Sequence, residues 1–199
     1  DETIGFLWEC TPLAFAGEKT SFILEGLFRV GIPFGSIIQF ILYSDEYIDE
    51  ELQLYQEGKT RDNPLLKKSA EQFAEFFRKG TKGMDIFQRM PLRNYRLFVA
   101  LKIPEKEAEK INVTDVYSTV REILAGAGVH PQDLTPEELV DWMRKLFNDH
   151  PSGNNKHYND EEYLNKQVIL SDTVIKKSLS EIKIGERYFR CATVKTYPP

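Results

Sequence analysis

Glycine, lysine and threonine stand together twice in this 199-residue chain. Gly17-Glu18-Lys19-Thr20 and Gly58-Lys59-Thr60 both echo the tail of a phosphate-binding loop. Such a loop needs Gly-x-x-x-x-Gly-Lys-Ser/Thr between a strand and a helix, so that backbone amides cradle phosphate oxygens and the lysine meets the terminal charge. Neither stretch meets that requirement. Gln53 stands where the first glycine before Gly58 belongs, and a helix-prone segment precedes it. Glu18 separates Gly17 from Lys19 and would set a carboxylate inside the cradle. No later strand offers a Mg²⁺-binding acid. The expectation is therefore no nucleotide site and no cofactor in these residues.

The histidines are His130, His150 and His157. Asp149, His150, His157, Asp160 and Glu161 form a metal-like cluster, but without the i, i+4 spacing that preorganises ligands on a helix. The cluster falls in the polar stretch 149–160, DHPSGNNKHYND, and reads as a solvated loop. His130 precedes Pro131 in a turn and has no nucleophile beside it. A Gly-x-Ser-x-Gly elbow is missing. Cys10 and Cys191 make neither a CxxC nor a zinc spacing, and read as two reduced thiols buried in strand-like segments. The acids Asp45, Glu46, Asp49, Glu50 and Glu51 crowd a helix start, where the dipole favours negative charge. No catalytic and no metal-ligating residue is expected.

Arg78, Lys79, Lys82, Arg89, Arg93 and Arg96 form a basic stretch interleaved with Phe87, Met90 and Pro91. Of these, Arg78, Lys79, Lys82, Phe87, Arg89, Met90 and Arg93 make a candidate surface for an acidic partner or lipid head groups. Nucleic acid is the weaker match. The net charge is −5, from 31 acids and 26 bases, which disfavours binding to a phosphate backbone. The segment 96–101 lacks the glycine–aromatic pairs of an RNA-binding strand.

The elements that must carry these residues follow from periodicity. Ile4, Phe6, Trp8 and Cys10 share one face of a strand stopped by Pro12. Leu24, Leu27 and Phe28 mark an amphipathic helix ending near Gly31. Residues 36–43 form a second strand, nearly continuous in apolar residues and so expected to be covered on both faces. An acidic helix over 45–58 follows. A second helix opens at Asn63-Pro64, as N-cap and first residue, and ends at Gly80. Residues 94–103 are a third strand. Asn112 caps a helix striped by Val113, Val116, Tyr117, Val120, Ile123, Leu124 and Ala127. Thr135-Pro136-Glu137-Glu138 is a capping box ahead of Leu139, Trp142, Met143 and Leu146. Two strands, 179–184 and 187–196, flank a Gly185-Glu186 hairpin turn.

Setting aside the helical pair leaves βαβ-βαβ, a ferredoxin-like split βαβ sheet. The expected fold class is α+β of that type, with a helical insertion at residues 45–92 between the second and third strands and an extra C-terminal hairpin strand. The expected organisation is one domain over 1–199. With 41% hydrophobic and 29% charged residues, the composition excludes disordered and low-complexity classes. No apolar run approaches the roughly 18–20 residues of a membrane span. A start at Asp1 rather than Met and an end at Tyr197-Pro198-Pro199 read as a piece of a longer protein.

Several stretches carry a family likeness: Leu7-Trp8-Glu9-Cys10-Thr11-Pro12-Leu13, Gly35-Ser36-Ile37-Ile38-Gln39-Phe40-Ile41-Leu42, and helix 71–80 followed by Pro91-Leu92-Arg93-Asn94-Tyr95-Arg96-Leu97-Phe98-Val99. The tail adds Asn165-Lys166-Gln167-Val168, Ile184-Gly185 and Val194-Lys195-Thr196-Tyr197-Pro198. Together they resemble the N-terminal region of TraC-type proteins, the conjugation ATPases of F-like type IV secretion systems. The resemblance implies a parent ATPase that energises pilus assembly, cytoplasmic and peripheral to the inner membrane. Its ATP and Mg²⁺ sites would lie in a motor domain beyond Pro199. The implied partners are other subunits of the secretion apparatus and further copies of the parent, with membrane contact made through them. The implied role here is docking and oligomerisation without catalysis. Two alternatives remain from the residues themselves: a nucleic-acid-binding ferredoxin-like module, from the basic stretch, and a small free-standing enzyme, from the His150/His157 loop.

Overall fold

The computed structural model describes residues 2–85, 89–148, 157–171 and 173–194. The chain divides into two compact units, Asp1–Asp133 and Leu134–Pro199.

In the first unit, β1 (Thr3–Cys10), β2 (Ile37–Asp45), β3 (Asn94–Pro104) and β4 (Gln132–Asp133) form one sheet of order β2-β3-β1-β4. Every neighbouring pair is antiparallel. Trp8 opposes Val99 and Cys10 opposes Leu97, while Phe40 opposes Val99 and Leu42 opposes Leu97. Because side chains alternate across a strand, these residues share one face. Helix α1 (Glu18–Glu25), a 3-10 turn at Gly26–Phe28 and helix α5 (Val113–Gly126) pack against it. The core joins Trp8, Cys10, Val99, Leu101 and Ile103 to Val116, Val120 and Leu124 of α5. Asn112 starts α5 as anticipated, its side chain accepting from the Thr114 N–H. The helices touch where Gly26 faces Ile123 and Gly126 faces Ile23. A short helix α4 (Glu105–Ala108) follows β3.

The helical insertion lies between β2 and β3, as α2 (Asp49–Glu57) and α3 (Pro64–Gly80). Asn63 caps α3 by accepting from the Leu65 N–H. The helices pack through Tyr55 on Phe73 and an Arg78–Asp49 ion pair at 2.6 Å. The insertion is tied to the sheet by Asn94 Nδ2 donating to Glu51.

The second unit holds α6 (Pro136–Phe147), α7 (Leu164–Val168) and a separate antiparallel sheet of β5 (Ile175–Lys177), β6 (Ile182–Ile184) and β7 (Arg187–Phe189). Arg144 and Asn148 are buried among its elements. Arg144 donates to the Gln167 carbonyl at 2.7 Å. Asn148 Nδ2 donates to the carbonyls of Arg144 and Val168.

Three expectations need correction. The fourth strand of the principal sheet, expected from the C-terminal strands that follow the second of two helices, is instead Gln132–Asp133 directly after α5, only two residues and lacking any apolar alternation. The C-terminal hairpin turns at Gly185-Glu186 as expected, but builds its own sheet with β5. Most consequentially, β2 is an edge strand, and Ile37, Phe40 and Leu42 are exposed rather than covered. Their apolar run reflects a surface, not burial on both faces.

Candidate functional site

The basic stretch lies at the end of α3 and in the segment leading into β3. Arg78 pairs with Asp49, Lys79 with Glu75 at 2.8 Å, and Arg89 with Asp85 at 3.0 Å. Arg93 turns inward, its Nη1 donating to the carbonyls of Thr81 and Leu92. Lys82 lines an open groove together with Arg78, Lys79 and the acids Glu46, Asp49 and Glu75. Met90 is exposed, and Phe87 lies outside the described residues. The bend is fixed by backbone: Gly83 has φ +83°, and a Cβ there would sit 2.7 Å from the Arg89 carbonyl oxygen. Each paired cation therefore meets a carboxylate within its own element or the adjoining helix. The result is a mixed-charge surface, weaker toward phosphate than an unmatched stripe would be.

The other candidates are dispersed. Gly58 caps the C-terminus of α2, and Lys59 sits over the Tyr55 ring at 4.4 Å. Gly17 precedes α1 as its N-cap. His157 is exposed, with Nδ1 3.2 Å from Glu137, and His150 lies outside the described residues. Among the described residues no three His, Cys, Asp or Glu side chains gather as metal ligands. No helix among them is long and apolar enough to cross a membrane.

The two thiols differ. Cys10 is buried, and burial, helped by the neighbouring Glu9 charge, pushes its thiol up to about 11. Cys191 is exposed rather than buried in a strand, and both cysteines are free.

The face opposite α5 carries a charged cluster. Arg96 donates to Glu9 through Nε at 2.6 Å and Nη2 at 2.8 Å. It stands 3.8 Å from the buried Asp45, over the fully buried Phe98 ring. The Glu9 bonds hold the guanidinium's affinity for its proton above the ordinary value. This cluster ties β1, β3 and the end of β2 together.

A feature that the spacing of residues did not single out is an apolar groove on the α5 side of the sheet. Leu13, Leu24, Phe40, Leu42, Tyr95 and Leu97 line an open concavity of about 710 Å³. α5 covers the β1 half of this face, whereas Phe40 and Leu42 on the outer strand remain open to solvent. The available signal was the uncharged run 37–44, which is equally compatible with a buried strand and an exposed edge.

The fold and surface define an α+β protein with an open apolar groove at one edge of its principal sheet. The chain belongs to the TraC family of conjugation proteins: the profile described as "TraC protein" matches residues 1–199. It is similar to Protein TraC of Escherichia coli (strain K12), 24% identical over 166 residues, which cover 76% of this chain and 18% of that relative. The chain thus spans under one fifth of the curated relative it matches. No solved structure matches it.

Proposed function

We propose that this chain is a non-catalytic docking and oligomerisation module of a conjugative type IV secretion ATPase. Family membership supports the conjugation setting. The observation that carries the docking role is the apolar groove, where Phe40 and Leu42 stand open beside Leu13 and Leu24. Exposed contiguous apolar surface is costly in water and marks interaction sites. Its partners are subunits of the secretion apparatus and further copies of the parent. The parent works in the cytoplasm at the inner-membrane surface, and its ATP and Mg²⁺ are held outside these residues.

We read the first unit as ferredoxin-like. Support comes from the order β2-β3-β1-β4, from the connections β1-α1-β2 and β3-α5-β4, and from α1 and α5 lying side by side. Each crossover skips one strand, which is the split βαβ pattern.

Calorimetric titration of the chain with Mg-ATP tests the non-catalytic assignment. No binding is the expected result, and tight Mg²⁺-dependent binding would overturn it. Docking is tested by Phe40→Lys/Leu42→Lys in the full-length parent, with loss of assembly into the apparatus expected and unchanged assembly contradicting it.

A further inference from the structure

The tip of the helical hairpin begins α3 before the helix has anything to pack on. Residues 57–69, from the last residue of α2 through the first six of α3, are all exposed. The first residue of α3 to be buried is Ala70. Leu66 stands one turn ahead of Ala70 on the same stripe, yet it is 42% exposed, and Leu65 beside it is 78% exposed. A helix on a soluble domain turns its apolar stripe to the core; here the stripe runs past the core into solvent.

The same tip is basic. Lys59, Arg61, Lys67 and Lys68 stand against Glu57 and Asp62, a local excess of positive charge in a chain of net charge −5. Lys67 reaches Asp62 at 2.7 Å, and Lys59 lies over the Tyr55 ring. Arg61 and Lys68 are exposed, and neither has a carboxylate partner among the described residues. The opposite end of α3 differs, because Arg78 and Lys79 are paired there with Asp49 and Glu75.

We propose that this hairpin tip docks on an anionic lipid surface, with Leu65 and Leu66 entering the interface and Arg61 and Lys68 meeting the head groups. Charge selects the surface: free cations at the tip attract anionic lipid. Shape selects a bilayer over a folded partner. A bilayer interface accepts two protruding leucines without a matching cavity, and flanking basic side chains keep their charged ends at the head groups. Screening confines the contact to about 8 Å at physiological salt, so the charge of the tip governs it rather than the net charge of the chain. The inference goes beyond the docking reading, in which the membrane is reached through partner subunits, and it does not depend on the groove at Phe40 and Leu42.

The test is flotation of the 199-residue chain with vesicles of phosphatidylcholine, alone or mixed with phosphatidylglycerol. The wild type should float with the mixed vesicles at low salt, release as salt is raised, and ignore pure phosphatidylcholine. Leu65→Ser/Leu66→Ser and Arg61→Glu/Lys68→Glu should each weaken binding at least about tenfold, because such anchoring needs both an apolar and a basic part. Lys176→Glu/Lys177→Glu makes the same charge change on exposed β5 and should leave binding unchanged. The two tip variants are independent, so either one decides the matter if the other fails to fold. A wild type that does not float with the mixed vesicles would overturn the proposal, as would equal flotation with pure phosphatidylcholine. Binding undiminished by the tip variants, or lost equally in the β5 variant, would also overturn it. Binding to polyglutamate without binding to vesicles would assign the tip to an acidic protein instead. None of these results bears on the docking reading, which fails separately if Phe40→Lys/Leu42→Lys leaves assembly of the full-length parent unchanged.

Discussion

Removing the Arg96 guanidinium should destabilise the first unit well beyond an ordinary surface substitution. Arg96 and Glu9 are 22% and 31% exposed at the side chain, and Asp45 is 8% exposed. Arg96→Met would remove two charge-assisted bonds to Glu9 and leave Asp45 without its nearby cation. Hydrogen bonds to charged groups contribute about 1.5–3 kcal/mol each, and partial exposure reduces this, so we expect a loss of about 2–3 kcal/mol. The assay is urea unfolding followed by Trp8 fluorescence in a Trp142→Phe background, so that the first unit reports alone. With a slope of about 2 kcal/mol/M, the midpoint should fall by about 1–1.5 M. A double-mutant cycle with Glu9→Gln should return a coupling of about 1–2 kcal/mol. A midpoint shift under about 0.3 M, or a coupling indistinguishable from zero, would refute the view that this cluster ties the three strands together.

Two further outcomes follow from single residues. At pH 8 iodoacetamide should modify one thiol per native chain, Cys191, because the Cys10 thiol is buried and raised to about 11; mass spectrometry showing two adducts without denaturant would contradict this. Thr135 and Glu138 form a reciprocal cap on α6, and the bonds from the Thr135 backbone and hydroxyl hold the Glu138 carboxyl below its ordinary value of 4.5. That contribution is present above the ordinary value and lost as pH falls through the lowered one. Thr135→Ala should therefore lower the melting temperature by about 2–4 °C at pH 7, with the difference shrinking under acid conditions; a constant difference across that range would argue against the cap.

Local signals were legible where one residue decides a geometry. Asn63, Asn112 and Thr135 each cap the helix they were expected to start, because an N-cap is satisfied within four residues of chain. The stripe of α5 placed Val116, Val120 and Leu124 in the core. The strand β4 was illegible, because two residues held by pairing with β1 need no apolar pattern of their own. Arg144 drew no notice in the sequence, yet it is buried and donates to the Gln167 carbonyl 23 residues away, beyond any local window. The candidate surface at Arg78 to Arg93 was visible as a charge run. What the run could not show is that Asp49 and Glu75 would meet Arg78 and Lys79. The apolar groove shared this difficulty: whether Phe40 and Leu42 are buried depends on which strands lie beneath the helices, and strand order is not written in any single segment.

On the proposed function, these residues assemble the parent rather than perform its chemistry. The most direct measurement compares ATP hydrolysis and DNA transfer for a full-length parent carrying Phe40→Lys/Leu42→Lys. Hydrolysis per folded protein should stay close to wild type and transfer should fall at least about tenfold, the loss expected when charges are buried in an apolar docking surface. Transfer at the wild-type frequency, from a protein that is folded and expressed normally, would contradict it.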